Sequence, residues 1–196
     1  MSGVRCFVAL ELQPEIVSAL VAAGSALRGA APAWRDEKWV AEDNLHITLK
    51  FLGPVAEERI ELLELALGVV LANQPAFSLR LAGLRAVPSA KRCSMVWASF
   101  DDSSTRACQR LAEAVDAAIA EFGVEKESRR FAPHVTLARA RRPHRLDEDA
   151  LLAANTSLTC TNASMSVPSA TLFASTLTRR GPIYERLARW QFTAAG

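Results

Sequence analysis

The chain holds three histidines, and two of them open the same four-residue pattern. His46-Ile47-Thr48-Leu49 and His134-Val135-Thr136-Leu137 both read histidine, β-branched residue, threonine, leucine. A strand sends alternate side chains to opposite faces, so His46 and Thr48 share one face while Ile47 and Leu49 take the other. The same holds for His134 and Thr136 against Val135 and Leu137. Each motif thus presents one imidazole and one hydroxyl on a rigid element, with apolar anchors behind. A lone His-x-Thr means little. Two of three histidines matching by chance has odds on the order of one in a hundred.

Near pH 7 a neutral imidazole accepts a proton and an imidazolium donates one. A facing pair can act as base on one side of a reacting atom and as acid on the other. In-line displacement at phosphorus needs that arrangement, with threonine hydroxyls left to bind the non-bridging oxygens. Arg139 follows His134 by five residues, so along a regular strand it starts on the wrong face. A bend or bulge must redirect it before its guanidinium can neutralise a phosphate. Metal binding is the rival use of histidines, but two imidazoles need further ligands, and no carboxylate or thiol sits at matching spacing beside either motif. No motif supports a serine or cysteine nucleophile. His144 is expected in a solvent-exposed basic loop, apart from the chemistry.

The 196 residues, half of them apolar, suffice for one well-buried core or two small lobes sharing an interface. Net charge is +2, which excludes a generic polyanion binder. The charge is unevenly spread. Residues 126–145 carry seven lysines and arginines against Glu127 alone, a local +6 around the second motif. Within that segment Arg129, Arg130, Arg141 and Arg142 are expected to line the mouth of the site and hold backbone phosphates of a substrate strand. The four cysteines, Cys6, Cys93, Cys108 and Cys160, are far apart and read as buried reduced thiols of a cytoplasmic protein. No signal peptide is apparent. Residues 150–178 lack charge, but 13 of these 29 positions are Ser, Thr or Asn, which rules out a membrane span and points to strands and turns.

Along the chain, residues 4–12 read as a strand, and Pro14 opens a helix to about residue 30. A short strand, a turn and a motif strand ending at Gly53-Pro54 follow, then a helix over 56–72 and two strands over 77–87 and 93–100. An amphipathic helix is expected over 104–122. After it come a basic loop, the second motif strand, a short helix near 147–154, and strands near 157–163, 166–176 and 183–193. This order argues for an α+β fold with largely antiparallel sheets. The motif strands fall at similar places in two similar halves, as in a duplicated lobe.

Four stretches together carry a family resemblance: VRCFVALEL, KWVAEDNLHITLKFLG, RRFAPHVTLARA and STLTRRGPIYERL. They resemble the RNA 2′,3′-cyclic phosphodiesterases, also called the 2′-5′ RNA ligase family, within the two-histidine phosphoesterases. The resemblance spans nearly the whole chain. It implies a single domain over residues 1–196 built of two pseudo-symmetric lobes, with outer helices and a central cleft. Each lobe contributes one His-x-Thr strand, and neither metal nor cofactor is needed. The implied activity is hydrolysis of an RNA-terminal 2′,3′-cyclic phosphate to a 2′-phosphate, with reverse 2′-5′ ligation available. By the resemblance His46 is the proton donor, His134 the proton acceptor, Thr48 and Thr136 phosphate-binding hydroxyls, and Arg139 the family's arginine after the second motif. The expected partner is an RNA end, with the protein acting as a monomer.

Two alternatives stay open at this stage. One is a sister activity on a small cyclic nucleotide phosphate. The other is a non-catalytic RNA-binding module, against which the intact His and Thr of both motifs argue.

Overall fold

A computed structural model of the chain describes residues 3–159, 163–179 and 181–194. Among these residues nine strands form one antiparallel sheet, and four α-helices pack on it. The elements are β1 (Val4–Glu11), α1 (Pro14–Ala30), β2 (Lys38–Trp39), β3 (His46–Val55), α2 (Ile60–Leu71), β4 (Phe77–Val87), β5 (Cys93–Asp101), α3 (Ala107–Ala118), β6 (His134–His144), α4 (Glu148–Thr159), β7 (Ser164–Val167), β8 (Ser169–Thr178) and β9 (Gly181–Gln191).

The strand order is β7-β4-β5-β6-β3-β1-β8-β9, with β2 added alongside β6. The motif strands β6 and β3 are therefore neighbours in the middle. On one side of that seam run β3, β1, β8 and β9; on the other run β6, β5, β4 and β7. The seam itself is short. β3 and β6 pair only at Ile47 and Val135, and beyond that point β6 pairs with β2 instead.

The helices bury one face each for the usual reason. In α1, Pro14 sits in the first turn and Ile16, Leu20, Ala23 and Leu27 turn inward at spacings of 3 and 4. Leu63, Leu67 and Leu71 do the same in α2, and Cys108, Leu111, Ala112 and Val115 in α3. These side chains join Val8, Leu10, Ile47, Val135 and Leu172 in one continuous core behind the sheet. Cys6, Cys93 and Cys108 are buried free thiols, as expected; Cys160 lies outside the described residues.

Two expectations need correction. The helix expected near 147–154 runs on as α4 to Thr159, so residues 157–159 are not strand; 160–162 lie outside the described residues. The hydroxyls of Thr156 and Ser157 donate to the carbonyls of Leu152 and Ala153 four residues back, which lets polar residues stay helical. Ala150, Ala154 and Leu158 continue the buried face. His144 is likewise not a loop residue. It ends β6, meets Glu37 Oε1 at 3.2 Å, and packs against Trp34 with ring centres 4.8 Å apart.

Candidate active site

Both motifs sit at the start of their strands, and the sheet brings those starts together. In the antiparallel register through Ile47 and Val135, His46 falls opposite Thr136 and Thr48 opposite His134. Ile47 and Val135 are fully buried behind the sheet, so all four polar side chains emerge on the other face.

The imidazoles are held alike. Nδ1 of His46 lies 2.8 Å from the carbonyl oxygen of Asn44, and Nδ1 of His134 lies 2.9 Å from that of Ala132. In each case the carbonyl is two residues upstream. A carbonyl can only accept, so Nδ1 carries the hydrogen and Nε2 is the nitrogen left for chemistry. Nε2 of His46 meets the Thr48 hydroxyl at 3.0 Å. Nε2 of His134 has no protein partner among the described residues.

Aromatic rings wall the two imidazoles. His46 stacks on Phe7 with centres 4.9 Å apart and meets the edge of Tyr184 at 5.4 Å. Phe7 in turn stacks on Phe173. His134 stacks on Trp97 at 3.7 Å, and the buried indole N–H of that ring has no partner among the described residues. These neighbours shift proton affinity. Burial is the main force lowering the pKa of His46 below 6.5; the Asn44 carbonyl opposes it, and the charge of His134 adds to it. Burial likewise lowers His134, opposed by the Ala132 carbonyl and aided by the Arg139 charge.

The redirection that Arg139 requires is present. β6 pairs Thr136 with Trp97 and Ala138 with Val96, which leaves Leu137 as an extra residue. That bulge flips the alternation: Ala138 turns into the core, and Arg139, opposite Met95, returns to the face of Thr136 and Trp97. Its Nη1 donates to the Met95 sulfur at 3.0 Å. Its charge is felt by both His134 and Tyr184, on opposite sides of the seam.

The basic segment splits into parts. Arg130 lies upstream of His134, with its Nε donating to Gln109 Oε1 at 3.1 Å, and Arg129 is exposed beside it. Arg141 and Arg142, expected at the mouth of the site, instead lie seven and eight residues down β6, about 23 Å from His134 along the strand, because β6 runs straight on past the bulge. Among the described residues no three His, Cys, Asp or Glu side chains gather to hold a metal ion. No described helix is long and apolar enough to cross a membrane.

Reading the motifs alone missed Phe7, Trp97 and Tyr184. Phe7 and Tyr184 stand in stretches that carried the family resemblance, and Tyr184 is the chain's single tyrosine. Trp97 had no signal of its own; its role arises only from pairing with β6.

Two imidazoles with fixed tautomers, two hydroxyls and a redirected guanidinium on one face form an acid–base site suited to an anionic phosphorus centre. Residues 16–172 match the model of the 2′-5′ RNA ligase superfamily, and the chain belongs to that superfamily. The RNA 2′,3′-cyclic phosphodiesterase of Escherichia coli K12 is 35% identical over 156 residues, 79% of each chain. That of Aquifex aeolicus is 33% identical over 149 residues, 75% of this chain and 77% of the relative. Among solved structures, a Thermus thermophilus protein superposes with a TM-score of 0.75 at 28% identity, covering 95% of this chain and 97% of its own. Escherichia coli LigT complexed with 3′-AMP does so with 0.71 at 28%, covering 97% and 98%.

Proposed function

We propose that this protein is an RNA 2′,3′-cyclic phosphodiesterase that works with its own side chains and no metal. The observation that carries the reading is the paired arrangement of His46 and His134 on neighbouring strand starts, each with Nδ1 held by a carbonyl so that Nε2 is the nitrogen turned to the open face. The names of the relatives support the substrate class.

His134 Nε2 takes a proton from water as its oxygen attacks the cyclic phosphorus. The bond from phosphorus to the 3′ oxygen breaks. His46, in its protonated form, gives its Nε2 proton to that oxygen, leaving a 3′-hydroxyl and a 2′-phosphate. Thr48 and Thr136 donate hydrogen bonds to the non-bridging oxygens, and Arg139 neutralises the charge that builds there. The same groups in the same roles give a 2′-5′ bond when a 5′-hydroxyl replaces water: His134 takes the hydroxyl proton, the bond from phosphorus to the 3′ oxygen breaks, and His46 protonates that oxygen. On this reading the two halves of the sheet act as two lobes of one domain, the working unit is a cytoplasmic monomer, and Arg129 and Arg130 face the RNA strand.

The test is an RNA oligomer ending in a 2′,3′-cyclic phosphate, incubated in EDTA with products resolved. A 2′-phosphate product formed at the metal-replete rate is the expected result. Loss of turnover on chelation, restored by a divalent metal, would sink the two-histidine mechanism.

A further inference from the structure

A cavity of about 260 Å³ opens directly upstream of the second motif, between the end of β5, the start of α3 and the segment leading into His134. Asp101, Asp102, Arg106, Gln109, Arg130 and Pro133 are among the residues that line it. Gln109 is buried, and its side-chain oxygen accepts from Nε of Arg106 at 3.3 Å and from Nε of Arg130 at 3.1 Å. Its amide nitrogen is tied to Glu113 Oε1 at 2.7 Å, which fixes the orientation of the oxygen. One buried amide therefore holds two guanidinium groups by their Nε atoms, leaving their terminal nitrogens to donate elsewhere.

Neither guanidinium is neutralised. Among the described residues, no carboxylate lies within ion-pairing distance of Arg106 or Arg130. The two acids in the wall are engaged otherwise. Asp101 is paired with Arg80 and accepts from the Ser103 N–H at 2.9 Å. Asp102 caps α3, accepting from the N–H groups of Cys108 and Gln109 at 3.2 and 2.9 Å. Arg106 also has φ of 53°, the one non-glycine residue with positive φ among the described residues. Glycine would adopt that conformation more easily, so the backbone gives no reason for arginine there.

We propose that this cavity is a second phosphate subsite, in which Arg106 and Arg130 bind the phosphodiester on the 5′ side of the terminal RNA nucleotide. The proposal rests on the phosphodiesterase reading above for the identity of the strand. Position supports it: the cavity wall at Pro133 is one residue from His134, about 3 Å of extended chain. A strand whose cyclic end lies against His134 passes its next phosphate towards this opening. Two charge-assisted donors fixed in advance suit a doubly coordinated phosphate oxygen pair better than loose surface arginines do.

The test compares three substrates: 2′,3′-cyclic AMP, a diadenosine dinucleotide ending in a 2′,3′-cyclic phosphate, and the same dinucleotide with a neutral methylphosphonate linkage. For the wild type, kcat/KM on the charged dinucleotide should exceed that on the neutral one by about tenfold or more, the worth of charged hydrogen bonds. Arg106→Gln and Arg130→Gln should each bring that ratio towards one, and Arg110→Gln, one turn along α3 outside the cavity, should not. Arg106→Gly should lose the ratio while its melting temperature does not fall, an outcome a purely structural arginine would not give. The proposal is overturned if the wild-type ratio is one, if the Arg106 and Arg130 variants keep it, or if Arg110→Gln loses it equally. If the wild type turns over none of the substrates, the phosphodiesterase reading fails on its own. Equilibrium binding of dinucleotides ending in a 2′-phosphate, charged against methylphosphonate, then decides the subsite: a preference that depends on Arg106 keeps it, and no preference removes it.

Discussion

The two motif strands are alike in residue type for four positions and then diverge. From His46 and from His134 the burial runs the same: partly buried histidine, buried aliphatic, partly buried threonine, then two buried residues and an exposed one. Each strand carries a bulge at the leucine of its motif. In β3 the pairing with β1 jumps from Thr48 to Lys50 and skips Leu49, as β6 skips Leu137. The exposed sixth residue is Phe51 in one strand and Arg139 in the other, both returned by the bulge to the face of the histidines. The fifth differs as well: Ala138 is simply core, whereas Lys50 is buried against Asp116 at 2.5 Å and donates to the Glu125 carbonyl. Proton transfer needs two equivalent imidazoles, and the pattern is kept where it serves that need. On the proposed mechanism the phosphate charge is met from one strand only, by Arg139, and there the two strands part.

The sharpest way to break the equivalence is to remove each imidazole. His46→Ala and His134→Ala should each lower kcat by about 10²–10⁴, with the fold retained, as read by steady-state kinetics and circular dichroism. A variant within a few-fold of wild type would show that its histidine is not half of a pair. The next effect tests the divergence. Arg139→Ala should cost about 10²–10³ in kcat, the worth of one donor to developing charge. Phe51→Ala, at the matching site, should change kcat by less than about tenfold, since it removes no charge. Equal losses would mean that the two halves are alike at this position too.

A smaller effect appears in pH dependence. Both imidazoles are held below 6.5 in the free protein, chiefly by burial. On the proposed roles, turnover from free enzyme and substrate needs His134 neutral and His46 protonated, so kcat/KM should trace a bell lying to the acid side of 6.5. A bound phosphate anion favours imidazolium, so the bell for kcat should sit at higher pH. Superimposable profiles would contradict an anionic centre between the two rings. The smallest effect is on stability. Unfolded imidazoles protonate near 6.5, ahead of the folded ones, so these residues cost stability as pH falls through 6.5 towards their folded values. A His46→Gln/His134→Gln variant should therefore lose less of its melting temperature between pH 7 and pH 5 than the wild type does.

The chemistry of the site could be read from the chain because strand alternation is local: four letters suffice to put His46 with Thr48 and His134 with Thr136. The need for a bulge before Arg139 could be read for the same reason. That Leu137 supplies it could not, because the extra residue exists only relative to β5. Trp97 was invisible on the same ground. The hydroxyl-rich tail of α4 misled because Thr156 and Ser157 are poor helix formers until their hydroxyls are bonded back along a helix. His144 misled because its partner Glu37 lies far away in sequence.

The order of strands also has a consequence for how the chain is made. β1 lies between β3 and β8, and Val8 pairs with both Lys50 and Leu172. The half that bears His46 is thus closed by β8 and β9, made long after β1 and β3, while the half that bears His134 is completed by β7, just before β8. During synthesis one edge of β1, with the apolar run from Phe7 to Leu10, has no partner until β8 has left the ribosome. Pairings so distant in sequence form slowly, and an open apolar edge invites association with other nascent chains. Truncation before β8 should therefore yield an insoluble product rather than a smaller working enzyme, and the His46 half should be the last part of the molecule to acquire its shape.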